Sequence, residues 1–416
     1  MITKQNVLEL DNNDPIGFAR DRFYIPPGKV YLDGNSLGLM SHDTHARVAE
    51  VTNRQWGKDA ITSWNKHNWI GLPQRVGEKI APLVGAAPGQ VICCDSISVN
   101  LFKTLAASLT LVQTEQPQKN QVLSTPDNFP TDLYMVQGLQ QLLGQQRCEL
   151  VLEKEQQLAD AVTDTTAVVL VTEVNFRTGR RLDVETLIAK AHAAGAMVIV
   201  DLAHSAGVLP VDLDAWQADF AVGCTYKYLN GGPGAPAFIY AAERHHAKLQ
   251  QPLVGWMGHA NPFEFTPNYS PAPGISQFLG GTPPVLSMSA VDAALDAFKD
   301  VNLGQLRFKS MQLSELFHDL VVQFELTSEL TLIAPEDRNQ RGSQLSYESE
   351  HAYGICQALI ERDVVADFRS PNYLRVGFAP LYNSFHDVYL AVQALADVIE
   401  SKAHLSERWQ QRNAVT

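Results

Sequence analysis

"MVIVDLAHSAGVLPVDLDAWQADFAVGCTYK", residues 197–227, holds two short apolar runs, each ending on polar groups. The first delivers Asp201 and His204. The second delivers Thr225, Tyr226 and Lys227. Neither run alternates apolar with polar residues, so neither has a face for water, as in strands of a parallel sheet covered by helices. The alternation of apolar run and helical stretch continues upstream. "QVICC" precedes "LFKTLAASLTLV", "QVLST" precedes "DLYMVQGLQQLL", and "TAVVLVTEV" precedes "DVETLIAKAHAAG". This predicts an α/β fold with a doubly wound, mostly parallel sheet.

Three regions are expected. Residues 1–45 form a turn-rich N-terminal segment, marked by "IPPG" and "YLDGNSLG" as irregular rather than helical and packing with the small domain. Residues 46–295 form the large α/β domain, with helical patterns from about 46 and around "PQRVGEKIAPLVG". Residues 296–416 form a smaller α+β domain. A long helical stretch over 289–325 leads into it, then strands near "GSQLSYE", "VVADFR" and "YLRVGF", the helix "AYGICQALIER", and a last helix from 385.

The 416-residue chain carries a net charge of −13, so no basic stripe is available for nucleic acid or for anionic lipid. "MITKQNVLELDNND" has no apolar targeting core, and "AAGAMVIVDLAHSAG" is too short to span a bilayer. The five cysteines form no CxxC pair, which fits reduced thiols in a cytoplasmic protein. Cys93 and Cys94 end a strand and read as packing residues rather than metal ligands.

Ligands of open α/β sheets bind beyond the carboxyl ends of the strands. There the chain places Ser96 and Ser98, the loop 127–132, Thr172 and Asn175, Asp201 and His204, and Thr225 to Lys227: five strands feeding one rim. Asp201 with His204 is a helix cap beside a satisfied histidine, two ligands of an incomplete metal site, or a carboxylate facing a cationic ring nitrogen. Lys227 separates these readings. An amine at the end of a buried strand loses solvation, which favours its neutral, nucleophilic form. A lysine for a Schiff base, an aspartate for a pyridinium nitrogen and hydroxyls at a helix start for a phosphate together match pyridoxal phosphate chemistry.

Other residues stay open between site and scaffold. Phe129 and Asp132 in "DNFPTDLY" are a ring-stacking aromatic with a neighbouring carboxylate, or a core phenylalanine beside a cap. Trp256 in "PLVGWMGH" and Thr282 in "FLGGTPP" sit in glycine-rich loops. Arg375 in "NYLRVGFAPLYNS" sits in a strand, where a guanidinium needs a carboxylate to meet, its own or a ligand's. "GGPGAP" has neither a Walker ending nor a GxGxxG context.

Assembled, "YLDGNSLG", "SWN", "NLFK", "NFPTDLY", "DLAHSAG", "GCTYKYLNGGPG", "GWMGH" and "YLRVGFAPLYNS" resemble the kynureninase family, from residue 31 to about 384. The resemblance implies a pyridoxal-5'-phosphate enzyme of the aspartate-aminotransferase fold, with a seven-stranded sheet in its large domain. It implies hydrolysis of L-kynurenine, or its 3-hydroxy form, to the anthranilate and L-alanine in tryptophan catabolism. Lys227 then carries the Schiff base, Asp201 pairs with the pyridinium nitrogen, His204 lies beside it and Phe129 stacks on the ring. Ile97, Ser98, Pro130, Thr131, Asp132, Thr172 and Tyr226 are cofactor contacts, Tyr226 doubling as a proton donor. Trp256 and Thr282 reach the phosphate from the neighbouring subunit of a homodimer. Arg375 binds the α-carboxylate, and Asn35, Ser36, Trp64, His67 and Gly281 complete the substrate site. No metal, nucleic acid or membrane is implied. Two positions depart from the family pattern: Ile97 stands where some relatives have a hydroxyl, and Glu173 where histidine is expected. Cysteine desulfurases share the fold, but Cys356 lies in a helical pattern rather than a mobile loop.

Overall fold

The computed structural model describes residues 1–410; the end of the expected small domain, 411–416, lies outside the described residues. The N-terminal segment corrects the expectation of turns throughout. It opens on a helix, Lys4–Asn12, started by a capping box in which Thr3 and Asn6 each accept the other's backbone N–H. Glu or Gln usually fills the Asn6 role, so this start signal is weak in sequence. Beyond it the segment holds a 3-10 helix, Gly17–Arg22, and strand β1 (Val30–Tyr31), which pairs in parallel with residues 364–365, before the helix His42–Glu50 begins.

The large sheet contains β2 (Val91–Cys93), β3 (Gln121–Ser124), β4 (Glu149–Leu152), β5 (Thr166–Thr172), β6 (Met197–Asp201), β7 (Phe220–Gly223) and β8 (Phe238–Ala241). Their order is β2-β8-β7-β6-β5-β3-β4. Only β8 runs antiparallel to its neighbours. Along β5, Val169 and Val171 enter the core on one face of the sheet while Val168 and Leu170 enter the core on the other. That double burial is why the run shows no period of two, and each such side chain stabilises the fold by roughly 1.5–3 kcal/mol. The five rim strands are not consecutive in the chain, because β4 intervenes between β3 and β5. β4 is a partly exposed edge strand with a correspondingly weak apolar signal.

The small domain adds β9 (Thr331–Leu332), β10 (Gln344–Glu348), β11 (Val364–Val365), β12 (Asp367–Arg369) and β13 (Tyr373–Gly377). β11 pairs with β1, and the other four form an antiparallel sheet in the order β12-β13-β10-β9. The helical stretch expected over 289–325 is broken in two. The helix Val285–Ala294 ends in a short 3-10 turn, Asp300 is left-handed (φ 61°), and Asn302 caps a new helix, Leu303–Gln323, through Gln305 N–H. Leu306 of that helix packs in the large domain's core, whereas Leu313, Phe317 and Leu320 pack in the small domain's core. We propose to draw the domain boundary along this helix. The N-terminal segment is shared likewise: Val7 and Val30 join the small core, but Ile16, Ala19 and Phe23 join the large one.

Candidate active site

Parallel registry sets the geometry. Thr172, Asp201 and Val222 stand level at the carboxyl ends of β5, β6 and β7. A cavity of about 260 Å³ opens above them, lined by Ile97, Ser98, Phe129, Thr131, Thr172, Asp201, His204, Tyr226 and Lys227. Nine residues expected at the site from sequence therefore share one cavity. Ser96, expected at the helix start, also lines it, and the structure adds Ala203, Cys224, Ala235, Ala237 and Phe176. Cys224 lies one residue beyond β7 and obeys the same rim rule, so sequence could have found it. Phe176 carries no local signal.

The lysine turn is held from two sides. Thr225 C=O accepts Gly231 N–H (2.7 Å) within "GCTYKYLNGGPG", and Tyr226 C=O accepts Gly38 N–H (2.8 Å) from "YLDGNSLG". A side chain at 38 is excluded, since its Cβ would lie 2.3 Å from the Lys227 carbonyl oxygen. Lys227 Nζ is 3.0 Å from His204 Nε2. Burial lowers the Lys227 pKa; Cys224 and Asp201 oppose this, and Arg375 and Arg369 add to it. Burial also holds His204 well below the ordinary histidine range, reinforced by Lys227 and the two arginines, so its ring is neutral. His204 Nδ1 is buried without a partner.

Asp201 is 2% exposed, and its Oδ1 accepts Ala203 N–H at 2.7 Å. Burial pushes it up to about 6, against Ala203 N–H and Lys227. Behind Phe129, Asp132 is fully buried in the first turn of the helix Pro130–Leu143. Its carboxyl is raised well above the usual range by burial and then by Asp201, and its Oδ1 has no partner. Thr172 Oγ1 lies within reach of Asn128 Oδ1 and of Asp132 Oδ2. Tyr226 is raised as well, by burial and then by Cys224 and Asp201, so its hydroxyl keeps its proton.

These features fit the expected cofactor. The helix Ile97–Glu115 begins at the cavity with free backbone donors for an anion, although Ser96 Oγ spends one lone pair capping Val99 N–H (3.4 Å). Asp201 supplies a desolvated carboxylate for a ring N–H. His204, whose Nδ1 has no partner, lines the cavity and offers a polar atom for a guest to satisfy; Asp132 stands off the lining. Phe129, 43% exposed and edge-on to Phe176 at 5.2 Å, presents a face to the cavity.

The remaining expected residues are not on this cavity. Arg375, 2% exposed on β13, donates from Nε to Asp367 Oδ1 (3.0 Å), from Nη1 to the Phe176 carbonyl (2.6 Å) and from Nη2 to Ser36 Oγ (3.1 Å) and Asp367 Oδ2. The carboxylate that a strand-borne guanidinium demands is thus Asp367. Asn35 is buried, with Nδ2 3.4 Å from Gln344 Oε1. Trp64 packs edge-on to Trp69, and His67 Nε2 meets Asp59 at 2.8 Å. Gly281 and Thr282 are exposed, and Trp256 clusters with Phe263 and Phe265, themselves 60% and 76% exposed. Glu173, where histidine was expected, is sealed against Arg181 Nε at 2.9 Å. All five cysteines are free and buried, and no group of side chains among the described residues has the makings of a metal site. No helix among them is long and apolar enough to cross a membrane. A larger depression of about 610 Å³ lies at the opposite end of the sheet. There Asp219 is already bound by His192, Arg244 and His245, which satisfies the cluster internally.

Comparison with known proteins agrees with this geometry. The chain is 45% identical over 416 residues, all of both sequences, to kynureninase of Burkholderia pseudomallei strain 1106a, and 42% identical over the same span to kynureninase of Pseudomonas fluorescens. A family model described as the kynureninase C-terminal domain matches residues 306–395. Among solved structures, the cysteine desulfurase CsdA of Escherichia coli has a TM-score of 0.76 at 20% identity, covering 93% of this chain and 98% of that one. The cystine C–S lyase C-DES, in complex with its product cysteine persulfide, has a TM-score of 0.76 at 17% identity, covering 89% and 98%. At such identities the likeness concerns the fold alone.

Proposed function

Because the chain belongs to the kynureninase family, we propose that it hydrolyses L-kynurenine, or its 3-hydroxy form, to the anthranilate and L-alanine, with pyridoxal 5'-phosphate bound to Lys227. The observation that carries this reading is the desolvated Lys227 amine, backed by neutral His204, in one cavity with Asp201. When bound, the cofactor supplies an electron sink conjugated to the substrate's α-carbon.

The chain's own residues do the rest. Asp201 holds the cationic ring nitrogen, Phe129 stacks on the ring, and the helix start at Ser96–Ser98 takes the phosphate through backbone N–H groups. Ile97 needs only its N–H for this, so the missing hydroxyl is no loss. Thr172 and Asp132 brace the ring-contacting loop. Lys227, its amine favoured neutral by burial, removes the α-proton and redelivers it as general acid/base. His204 accepts or returns a hydrogen bond at Nε2 and keeps the amine aimed. Water adds to the γ-carbonyl, the Cβ–Cγ bond breaks, and anthranilate leaves while the former β-carbon takes a proton. Tyr226, which keeps its proton throughout the working pH range and lines the same cavity, is the proposed donor. Tyr226→Phe is expected to slow turnover by about 10–100-fold, with KM changed less, in steady-state assays. Wild-type turnover would remove the role.

Arg375 is proposed to take the α-carboxylate, assisted by Ser36 and Asn35, and Trp64, His67 and Gly281 to shape the aryl end. Trp256 and Thr282, exposed and off the cavity in one chain, complete a neighbour's phosphate site in a homodimer. The exposed Trp256–Phe263–Phe265 cluster supports that assembly, because a patch of this kind favours a protein partner. Inactive Lys227→Ala and inactive Trp256→Ala chains, refolded together, should recover activity that neither has alone. No recovery would assign Trp256 to its own chain's site. The function itself is tested by fluorescence of released anthranilate: it should appear with kynurenine and not with cysteine, and its absence with kynurenine overturns the reading.

A further inference from the structure

The carboxylate-binding corner is already electrically balanced. Arg369 and Arg375 bring two positive charges and Asp33 and Asp367 two carboxyl groups, with Ser36 Oγ between them. Asp367 accepts from both guanidinium groups, Arg375 Nε at 3.0 Å and Arg369 Nη2 at 2.7 Å, and from Ser36 Oγ at 2.7 Å. Asp33 is held less fully: Ser36 is its side-chain hydrogen-bond partner, and its Oδ1 is buried with none. An ionised oxygen enclosed without a donor is costly, whereas the neutral acid tolerates the same place. Its position is set by backbone, for Ser36 N–H and Leu37 N–H both donate to the Asp33 carbonyl, and Asp33 bridges to Gly377 beside Arg375. The loop that carries Ser36 to the arginines therefore also carries a second acid beside them.

A third carboxylate, arriving with the substrate, would make three anions against two cations. We propose that Asp33 is the proton reservoir of this corner: it takes a proton from water as an α-carboxylate binds, leaving the arginine pair with net positive charge for the newcomer. The inference rests on the reading that Arg375 binds the α-carboxylate. Burial, and then the Asp367 charge, push Asp33 up to about 7, against the Ser36 hydrogen bond and the pull of Arg375 and Arg369. The other titratable groups facing it stay neutral. Tyr31 on β1, Tyr228 beyond β7, Tyr382 beyond β13 and Cys356 on the helix Ala352–Ile360 are all raised by burial. Asp33 is thus the group in this corner that can change charge near neutrality, acting through the arginines as a positioning residue.

The test uses holoenzyme and 4-(2-aminophenyl)-4-oxobutanoate, the substrate skeleton without its α-amine. This probe keeps the carboxylate, forms no Schiff base and does not itself titrate between pH 6 and 9. Its Kd should rise about tenfold from pH 6 to pH 8, the slope of one linked proton with a pKa near 7. Calorimetry at pH 8 in buffers of different ionisation enthalpy should show proton uptake on binding. Asp33→Asn, permanently neutral, should flatten the profile and bind about tenfold tighter than wild type at pH 8. A flat wild-type profile, no proton uptake at pH 8, or an unchanged slope in Asp33→Asn overturns the proposal; the first two need no variant to fold. If those fail while Arg375→Ala still weakens binding, only the reservoir is lost. If Arg375→Ala binds as tightly as wild type, the carboxylate reading falls with it.

Discussion

Lys227→Ala is expected to be colourless at the cofactor's imine band, to resist labelling by borohydride, and to cleave kynurenine about 10³–10⁴-fold more slowly. That magnitude is the upper range for a positioned acid/base group, since on the proposed reading the same amine also anchors the cofactor. The fold should survive. The amine sits where burial disfavours its charge, so removing it relieves a desolvation cost rather than breaking a support. Its hydrogen-bond neighbour, His204, is neutral, and Asp201, which loses a nearby positive charge, can take up a proton instead. Absorbance, mass after borohydride reduction and thermal unfolding separate the outcomes. A variant within tenfold of wild-type rate, still labelled by borohydride, places the reactive amine elsewhere.

Asp201→Asn should have the second largest effect. The side chain keeps its shape and its contact to Ala203 N–H but loses the charge proposed to hold a cationic ring nitrogen. Activity should fall about 10²–10³-fold, comparable with loss of one preorganised electrostatic contact. The pH dependence follows in sign from the raised carboxyl. With a pKa near 6, Asp201 is neutral below that value, so wild-type affinity for the cofactor should weaken as pH falls through 6, and Asp201→Asn should show no such step. Stability runs the other way. A group whose pKa is higher folded than unfolded costs stability while ionised and returns it as pH falls. Cofactor-free Asp201→Asn should therefore melt above cofactor-free wild type at pH 7.5. Spectrophotometric cofactor titration and scanning calorimetry read both effects, and equal cofactor affinity at pH 8 would detach Asp201 from the ring.

Much of this was legible in the sequence because burial leaves a one-dimensional trace. β5, β6 and β7 are sealed on both faces, so their runs show without interruption, and the rim residues follow each run by position alone. Lys227, Asp201, His204, Thr172 and the Ser96–Ser98 turn come together for that reason. What does not follow a strand end was harder. The helix Lys4–Asn12 is hidden by its unusual capping partner, and the break around Asp300 is a few residues inside an otherwise helical pattern, with Lys299 and Asn302 out of helical geometry and Asp300 left-handed. Phe176 reaches the cavity from a loop. Arg375 was legible as a guanidinium needing a carboxylate; that Asp367 already supplies one depends on β12 and β13 lying side by side. On the proposed reading, Trp256 and Thr282 on the glycine-rich loops act beside a second chain, which no local pattern signals.

The bond from Arg375 to the Phe176 carbonyl has a consequence for substrate choice. A side chain of the small sheet is tethered to main chain at the rim of the large one, which sets the span between guanidinium and lysine amine. All α-amino acids carry amine and carboxylate on the same carbon, so on the proposed reading a ruler of fixed length admits them equally. Discrimination is left to whatever surrounds the far end of the side chain. Recognition and selectivity then form separable modules, and the aryl preference can be redesigned without touching the grip on the backbone of the substrate.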